Sequence, residues 1–252
     1  MSTKEDDVAS GRAESGSGGQ PQPRRGIDTR SAISAAATGL FFKVGFHAAT
    51  MKAIGEAANV QAAAIYYWYP SKEALLVHLQ DDFMNQLTES VESAVAPHDR
   101  AAYRLAAAVR AHVVFHALHQ QEAFVTDSEI RALTPEPRQK LISRRDAYQQ
   151  FFYDMILDGV DEGDFSPTDP RVATFAILLQ CTGVSLWFKT AGAMTASEVA
   201  DSHVDLVLGS LHTDLALIPA IIEAVRGDDA TEATQQVNRD SSNSSGASHG
   251  IS

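Results

Sequence analysis

The sequence predicts an all-α protein, and three observations carry that prediction. Apolar residues recur at i, i+3 and i+4 through most of the chain, the spacing that lines one face of a helix. Helix-start devices precede those runs: Asp28, Thr50, Ser71, Thr134-Pro135, Asp169-Pro170 and Thr195-Ala-Ser-Glu198. No stretch alternates apolar and polar over strand length, and no Asn-Gly or Asp-Gly pair joins two such stretches as a hairpin turn would.

The first helix is expected to start near Thr29 with Asp28 as its N-cap. It carries Ile33, Ala36, Ala37, Leu40, Phe41 and Val44 on one face and stops at Gly45. Thr50 caps a short helix that ends near Ala58; Asn59-Val60 turns the chain into a second short helix, Gln61–Tyr67. Pro70 breaks it, and Ser71 caps a long helix to about Ala94 that aligns Leu75, Leu76, Leu79, Phe83 and Leu87. A helix over Asp99–His119 and a short one around Ser128–Leu133 follow. Thr134-Pro135 opens a long helix that runs to Glu162 and ends at Gly163, and Asp169-Pro170 opens another to about Thr190. The Thr195–Glu198 capping box opens the last, which runs toward Arg226 with a break near Pro219. The count is nine or ten helices. Residues 1–28 and 227–252 are rich in Gly, Ser and polar residues and are expected to be disordered tails.

The 252 residues carry a net charge of −12, which read as a total argues against a nucleic-acid partner. The distribution says otherwise. Residues 24–72 hold a net charge of +4, from Arg24, Arg25, Arg30, Lys43, Lys52 and Lys72 against Asp28 and Glu56. The stretch 73–252 carries −14. Phosphates respond to the local field, because charges farther off than a Debye length of about 8–10 Å are screened. A single cysteine, Cys181, excludes an internal disulfide and a cysteine-built zinc site. With no apolar signal core at the N-terminus and no ~20-residue apolar run, the expectation is a cytoplasmic protein without a membrane partner.

The two short helices around a three-residue turn have the layout of a helix-turn-helix. Ile54, Ala57 and Val60 supply the apolar contacts that cross one helix over the other, and the second helix is the one that enters a major groove. The run Tyr66-Tyr67-Trp68-Tyr69 cannot point inward from a single turn; Tyr66 and Tyr69 are expected to pack, leaving rings to face DNA.

The stretch from Arg30 to about Leu87, "AAATGLFFKVGFHAATMKAIGEAANV" followed by "IYYWYPSKEALL", resembles the TetR family of transcriptional regulators. About a dozen positions agree in order and spacing. The resemblance implies a DNA-binding domain over residues 29–75, with the helix-turn-helix at about 49–68, and a ligand-binding and dimerisation domain over 76–226. It also implies a homodimer on a palindromic double-stranded operator. Thr50 and Lys52 would lie against backbone phosphate, and Gln61, Ala62, Ala63 and Ala64 would face bases. Tyr66 would pack and offer its hydroxyl to phosphate, Tyr67 would add to readout, and Lys72 would bind phosphate. Arg24, Arg25 and Arg30 would run as an arm along the backbone or minor groove. Trp68 and Ala63 depart from the family's usual histidine and its glycine or proline.

Farther on, Arg131-x-Leu133, Arg145-Asp-x-Tyr148, Gly159 to Phe165, Asp169, and Trp187 with Gly192 resemble one TetR subgroup. Its members answer to acyl-CoA thioesters in fatty-acid or steroid breakdown. This implies a small apolar or CoA-thioester effector, with an acyl-CoA or steroid-CoA thioester as the candidate, bound among the helices. The candidate lining set is Phe115, His116, Phe152, Met155 and Trp187; of core, dimer contact and ligand wall, the reading preferred for Trp187 is core and pocket wall. The resemblance further implies that helices 169–190 and 195–217 pair across a two-fold axis as a four-helix bundle.

His112, His116 and His119 stand at i, i+4 and i+7, close to metal-ligand spacing, but no carboxylate completes a site. A pocket-lining or hydrogen-bonded stripe is the simpler reading, so no metal and no cofactor is assigned. No Ser-His-Asp order, phosphate loop or nucleophile elbow points to an enzyme. The alternatives are a ligand-independent regulator or activator of the same fold, or a helical metal protein or enzyme.

Overall fold

The computed structural model describes residues 23–226; of the tails expected at 1–28 and 227–252, residues 23–28 are helical and the rest lie outside the described residues, as do the side chains of residues 23–28 and Ala62. Every regular element in the described residues is helical, eleven α-helical segments and one 3-10 turn. The helix α1 (Pro23–Val44) begins at Pro23 rather than near Thr29, so Asp28 lies inside it and is not its cap. Proline suits that first position, where its missing N–H costs nothing and its φ is preset. Gly45, at φ +80, ends the helix in a conformation that a side chain would strain.

Three short steps then build the compact N-terminal unit. Thr50 accepts the N–H of Ala53 at 3.1 Å and caps α2 (Met51–Ala57). Asn59 takes the left-handed conformation at φ 54 and reverses the chain into α3 (Ala62–Trp68). Ser71 caps α4 (Lys72–Val95) by accepting the N–H of Ala74 at 3.0 Å. Ile33, Phe41, Ile54, Ile65 and Leu75 are fully buried in the core these helices share. Ala57, expected in that contact, is exposed; the buried positions of α2 are Met51, Ile54 and Gly55.

Behind this unit, α5 (Ala101–Leu118) is apolar nearly all round and is the central helix, packed against α4, α7, α8, α9, α10 and α11. After it come α6 (Gln120–Ser128), a 3-10 turn (Glu129–Ala132), α7 (Pro135–Asp161), α8 (Pro170–Thr182), the single turn α9 (Val184–Trp187), α10 (Ala196–Ser210) and α11 (Ile218–Arg226). The sequence pattern missed α6, which buries only Ala123, Val125 and Thr126 and is held by packing on α1 and α4. The helix expected to reach Thr190 stops at Thr182, whose hydroxyl is 3.2 Å from His112 Nε2. The expected break near Pro219 falls earlier, at 211–217, and contains the left-handed His212 (φ 58); Pro219 sits in the first turn of α11, where it is tolerated. The capping box forms as read: Thr195 Oγ1 accepts the N–H of Glu198 at 3.2 Å and Glu198 Oε2 accepts that of Thr195 at 2.8 Å. Gly159 has no room for a side chain, since a Cβ there would lie 2.0 Å from the ring of the buried Phe165.

The two halves are tied at several points. Glu129 Oε1 accepts the N–H of Phe46 at 3.0 Å, and Glu73 Oε1 accepts that of Thr134 at 2.6 Å. The Phe42 and Phe124 rings meet edge to face at 5.1 Å.

Candidate nucleic-acid interface and effector groove

The outward face of α3 carries Ala63, Tyr66 and Tyr67, at i, i+3 and i+4, opposite the fully buried Ile65. Tyr67 is 81% exposed and makes an edge-to-face contact with Trp68 at 5.2 Å. Tyr66, expected to pack, is more than half exposed; Tyr69 alone of the four rings is buried. Gln61, just ahead of the helix, is exposed and makes no side-chain capping bond. On α2, Lys52 is exposed and lies 3.8 Å from Glu56, an i, i+4 pair too solvated to tie the ammonium down. Thus Thr50, Lys52, Gln61, Ala63, Tyr66 and Tyr67 are all presented on the surface of the helix-turn-helix.

Two basic residues assigned to phosphate, the exposed Arg30 and the half-buried Lys72, also bond within the fold. Arg30 donates through Nε to the Tyr69 hydroxyl at 3.2 Å and through a terminal nitrogen to His78 Nδ1 at 3.3 Å. A guanidinium only donates, so His78 Nδ1 must accept. Burial, and then the charge of Arg30, lower the His78 pKa, in keeping with an accepting nitrogen. Lys72 Nζ donates to the carbonyls of Phe46 at 2.6 Å, His47 at 3.3 Å and Ala49 at 2.7 Å. Those carbonyls belong to the turn between α1 and α2, where the chain leaves its helical bonds and would otherwise present unpaired acceptors. Arg30 and Lys72 therefore brace the unit that displays α3. Nothing in the local sequence pattern marks either bond, because each partner is more than twenty residues away.

A groove of about 540 Å³ runs between α4 and α7, with Asn85, Glu89 and Glu92 on one wall and Arg144, Tyr148 and Phe151 on the other. Of these, only Tyr148 belonged to a motif singled out in the sequence. Its hydroxyl reaches His112 Nδ1 at 2.8 Å, and His112 stacks on His116 with ring centroids 4.1 Å apart. His116 Nδ1 donates to the His112 carbonyl at 3.0 Å. Burial drives the His112 pKa well below its ordinary value and that of His116 down to about 4, so both rings are neutral near pH 7. His119 stacks on Phe115 at 4.3 Å. The histidine stripe is thus a packed and hydrogen-bonded one, and among the described residues no group of three or more His, Cys, Asp or Glu is placed to hold a metal ion.

The candidate lining residues divide. Phe115, His116, Phe152 and Met155 are buried together in the core behind Tyr148, and Phe115 also borders a smaller cavity of about 190 Å³ among α1, α4 and α6. Trp187 is not with them. The chain breaks at Thr182–Gly183, and the single turn of α9 carries the indole to the surface, 54% exposed and stacked over His203 at 6.3 Å. It joins Val172, Phe175 and Leu179 of α8, Leu186 of α9 and Leu206 of α10, all large, apolar and exposed. Cys181, on the inner side of α8, is buried, and burial pushes its thiol up to about 12.

Residues 33–79 match the family model described as bacterial regulatory proteins, tetR family, and residues 98–211 match the tetracyclin repressor-like, C-terminal domain. The HTH-type transcriptional repressor KstR2 of Mycobacterium tuberculosis is 26% identical over 199 residues, covering 77% of this chain and 95% of the relative. A crystal structure of a tetR-family regulatory protein from Rhodococcus RHA1 superposes with a TM-score of 0.69 at 28% identity, over 74% of this chain and 98% of that one. The structure of AibR in complex with isovaleryl coenzyme A and operator DNA superposes with a TM-score of 0.65 at 26% identity, over 71% of this chain and 97% of that one. No helix among the described residues is long and apolar enough to cross a membrane.

Proposed function

The chain belongs to the tetR family of transcriptional regulators, and from that premise we propose that it is a cytoplasmic, homodimeric repressor released from a palindromic operator by a CoA-thioester effector. The observation that carries the DNA reading is the outward face of α3, which lies inside the matched segment 33–79 with Tyr66 and Tyr67 projecting. One such helix spans only a few base pairs. Two copies related by a two-fold axis present two of them to half-sites about 34–36 Å apart, or a multiple of that spacing. The exposed apolar face of α8, α9 and α10 supports pairing through that surface.

For the effector, support comes from the groove between α4 and α7 and from the similarity to AibR, which was solved with an acyl-CoA. The acyl part passes Tyr148 and Phe151 toward Phe152 and Met155, while Arg144, which bonds Asp81 and Asn85, exchanges those partners for anionic groups of the effector. Binding there favours a protomer in which α4 has shifted against α7. Two contacts carry that shift forward, because Lys72 at the start of α4 and Glu129 in the 3-10 turn both hold the segment between α1 and α2. The effector lowers operator affinity only by its preference for the shifted state.

Sequencing the genomic DNA that the full chain captures, followed by gel shifts with and without acyl-CoAs, tests this reading. The expected result is a palindrome near genes of lipid or steroid catabolism, bound without acyl-CoA and released by it. Operator binding indifferent to acyl-CoAs would leave a ligand-independent regulator. Release with unchanged spacing of the two α3 helices, by scattering and crystallography, would overturn the shift of α4.

A further inference from the structure

We propose that α3 selects a half-site whose centre is A·T, reading thymine through its C5 methyl group and adenine through Gln61; this rests on the DNA reading above. The argument begins with what α3 lacks. Its seven residues, AAAIYYW, contain no Arg or Lys, so the bidentate contact to guanine O6 and N7 has no donor on this helix. They contain no Asp or Glu either, so cytosine N4 has no carboxylate acceptor. Three basic residues with described side chains around this helix do not fill the gap. Arg30 and Lys72 are bonded to Tyr69, His78 and three backbone carbonyls, and Lys52 is on α2, the helix that crosses the backbone.

What remains on the face is chemically narrow. Ala63 is exposed and offers a methyl group at the point of closest approach, flanked one turn on by Tyr66 and Tyr67. A helix this slim can sit deep in the groove, where alanine meets the thymine methyl, the one apolar feature a base pair presents there. Gln61 is exposed, and its carboxamide makes no capping bond. A carboxamide pairs bidentately with adenine N6 and N7, so this residue and Ala63 favour the same type of base pair. The phenols stand farther along the helix, toward the sugar-phosphate walls, where they position rather than specify.

The test is selection of sites from random duplex DNA by the full chain, then replacement of each thymine of the selected half-site by deoxyuridine. That change removes only the C5 methyl and leaves every hydrogen-bonding edge intact. At one or two positions the affinity should fall about fourfold per buried methyl. In Ala63→Gly the difference between thymine and uracil should vanish at one of those positions. Adenine at the Gln61 position should be preferred over other bases by roughly 5- to 150-fold, and Gln61→Ala should erase the preference. A G·C-centred half-site, or indifference to deoxyuridine at every position of a specifically bound site, overturns the inference while leaving DNA binding intact. Failure to select any sequence would instead sink the DNA reading itself.

Discussion

Lys72 grips Phe46 twice: its ammonium donates to the Phe46 carbonyl at 2.6 Å and stands 4.4 Å from the centroid of the Phe46 ring. Two further carbonyls, of His47 and Ala49, share the same ammonium. The lysine at the head of α4 is therefore a clasp on the turn that precedes α2. Its removal leaves those three carbonyls without the donor they share.

Lys72→Ala should lower the unfolding free energy by about 1–2 kcal/mol, because charge-assisted bonds to a partly buried partner are lost while water can reach part of the site. Lys72→Arg should recover some of this, since a guanidinium keeps donors but is broader than the three-carbonyl cradle. Urea unfolding followed by circular dichroism measures both. Unchanged stability in Lys72→Ala would mean that the ammonium is free to serve phosphate alone.

Glu129 takes the other polar group of the same residue, accepting the N–H of Phe46 at 3.0 Å. The 3-10 turn that carries it is continuous with α6, whose first residue, Gln120, donates to the carbonyls of Ser185 and Phe188 at 3.0 and 2.8 Å. The α1–α2 turn is thereby connected to the segment beside the exposed apolar face. Glu129→Ala should bind operator within about threefold of the parent yet respond less to effector, since a weak bond across a junction carries coupling more than fold stability. Glu129→Gln keeps an acceptor and should respond as the parent does. Equal release in all three proteins would remove Glu129 from the route.

Much of this is legible in the sequence. Thr50, Ser71, Asp169 and the Thr195–Glu198 box announce helix starts because capping is a local bond, settled within three residues. The path of α3 and the exposure of Tyr67 follow from the same short-range pattern. What the pattern hid depends on distant partners. Arg30 and Lys72 look like free cations, and only folding brings Tyr69, His78 and the Phe46 carbonyl to them. Trp187 reads as core and pocket wall, yet the break at Gly183 turns it outward, and α6 escapes notice because tertiary packing rather than amphipathic period holds it.

The buried histidines make stability depend on pH with a definite sign. His116 titrates near 4 in the folded protein against an ordinary value of 6.5, so below 6.5 the unfolded chain binds the proton that the folded chain refuses. Its contribution is complete above 6.5 and is lost as pH falls toward 4; at pH 5 the loss is about 2 kcal/mol. His112 is shifted in the same direction by burial and adds to the slope. Unfolding free energies at pH 7.5 and pH 5 should therefore differ markedly, and His116→Phe should flatten that difference whatever it does to stability at pH 7.5. An equally steep decline in the variant would assign the acid sensitivity to other groups.

Leu179 is 77% exposed on α8, in line with Val172, Phe175 and Leu186, while Ile177 and Cys181 turn inward. Because the protomer's own core does not use it, Leu179→Glu should leave helix content and thermal unfolding of the monomer nearly intact. In a two-fold contact the same residue meets or approaches its own copy, and two carboxylates would be buried without partners. By light scattering at one concentration, the parent is expected to be a dimer and the variant a monomer. Operator affinity should fall by at least ~100-fold, since each half-site is then held without the other. A persistent dimer with full affinity would place the symmetry axis on some other face, and the exposed run from Val172 to Leu206 would need a different occupant.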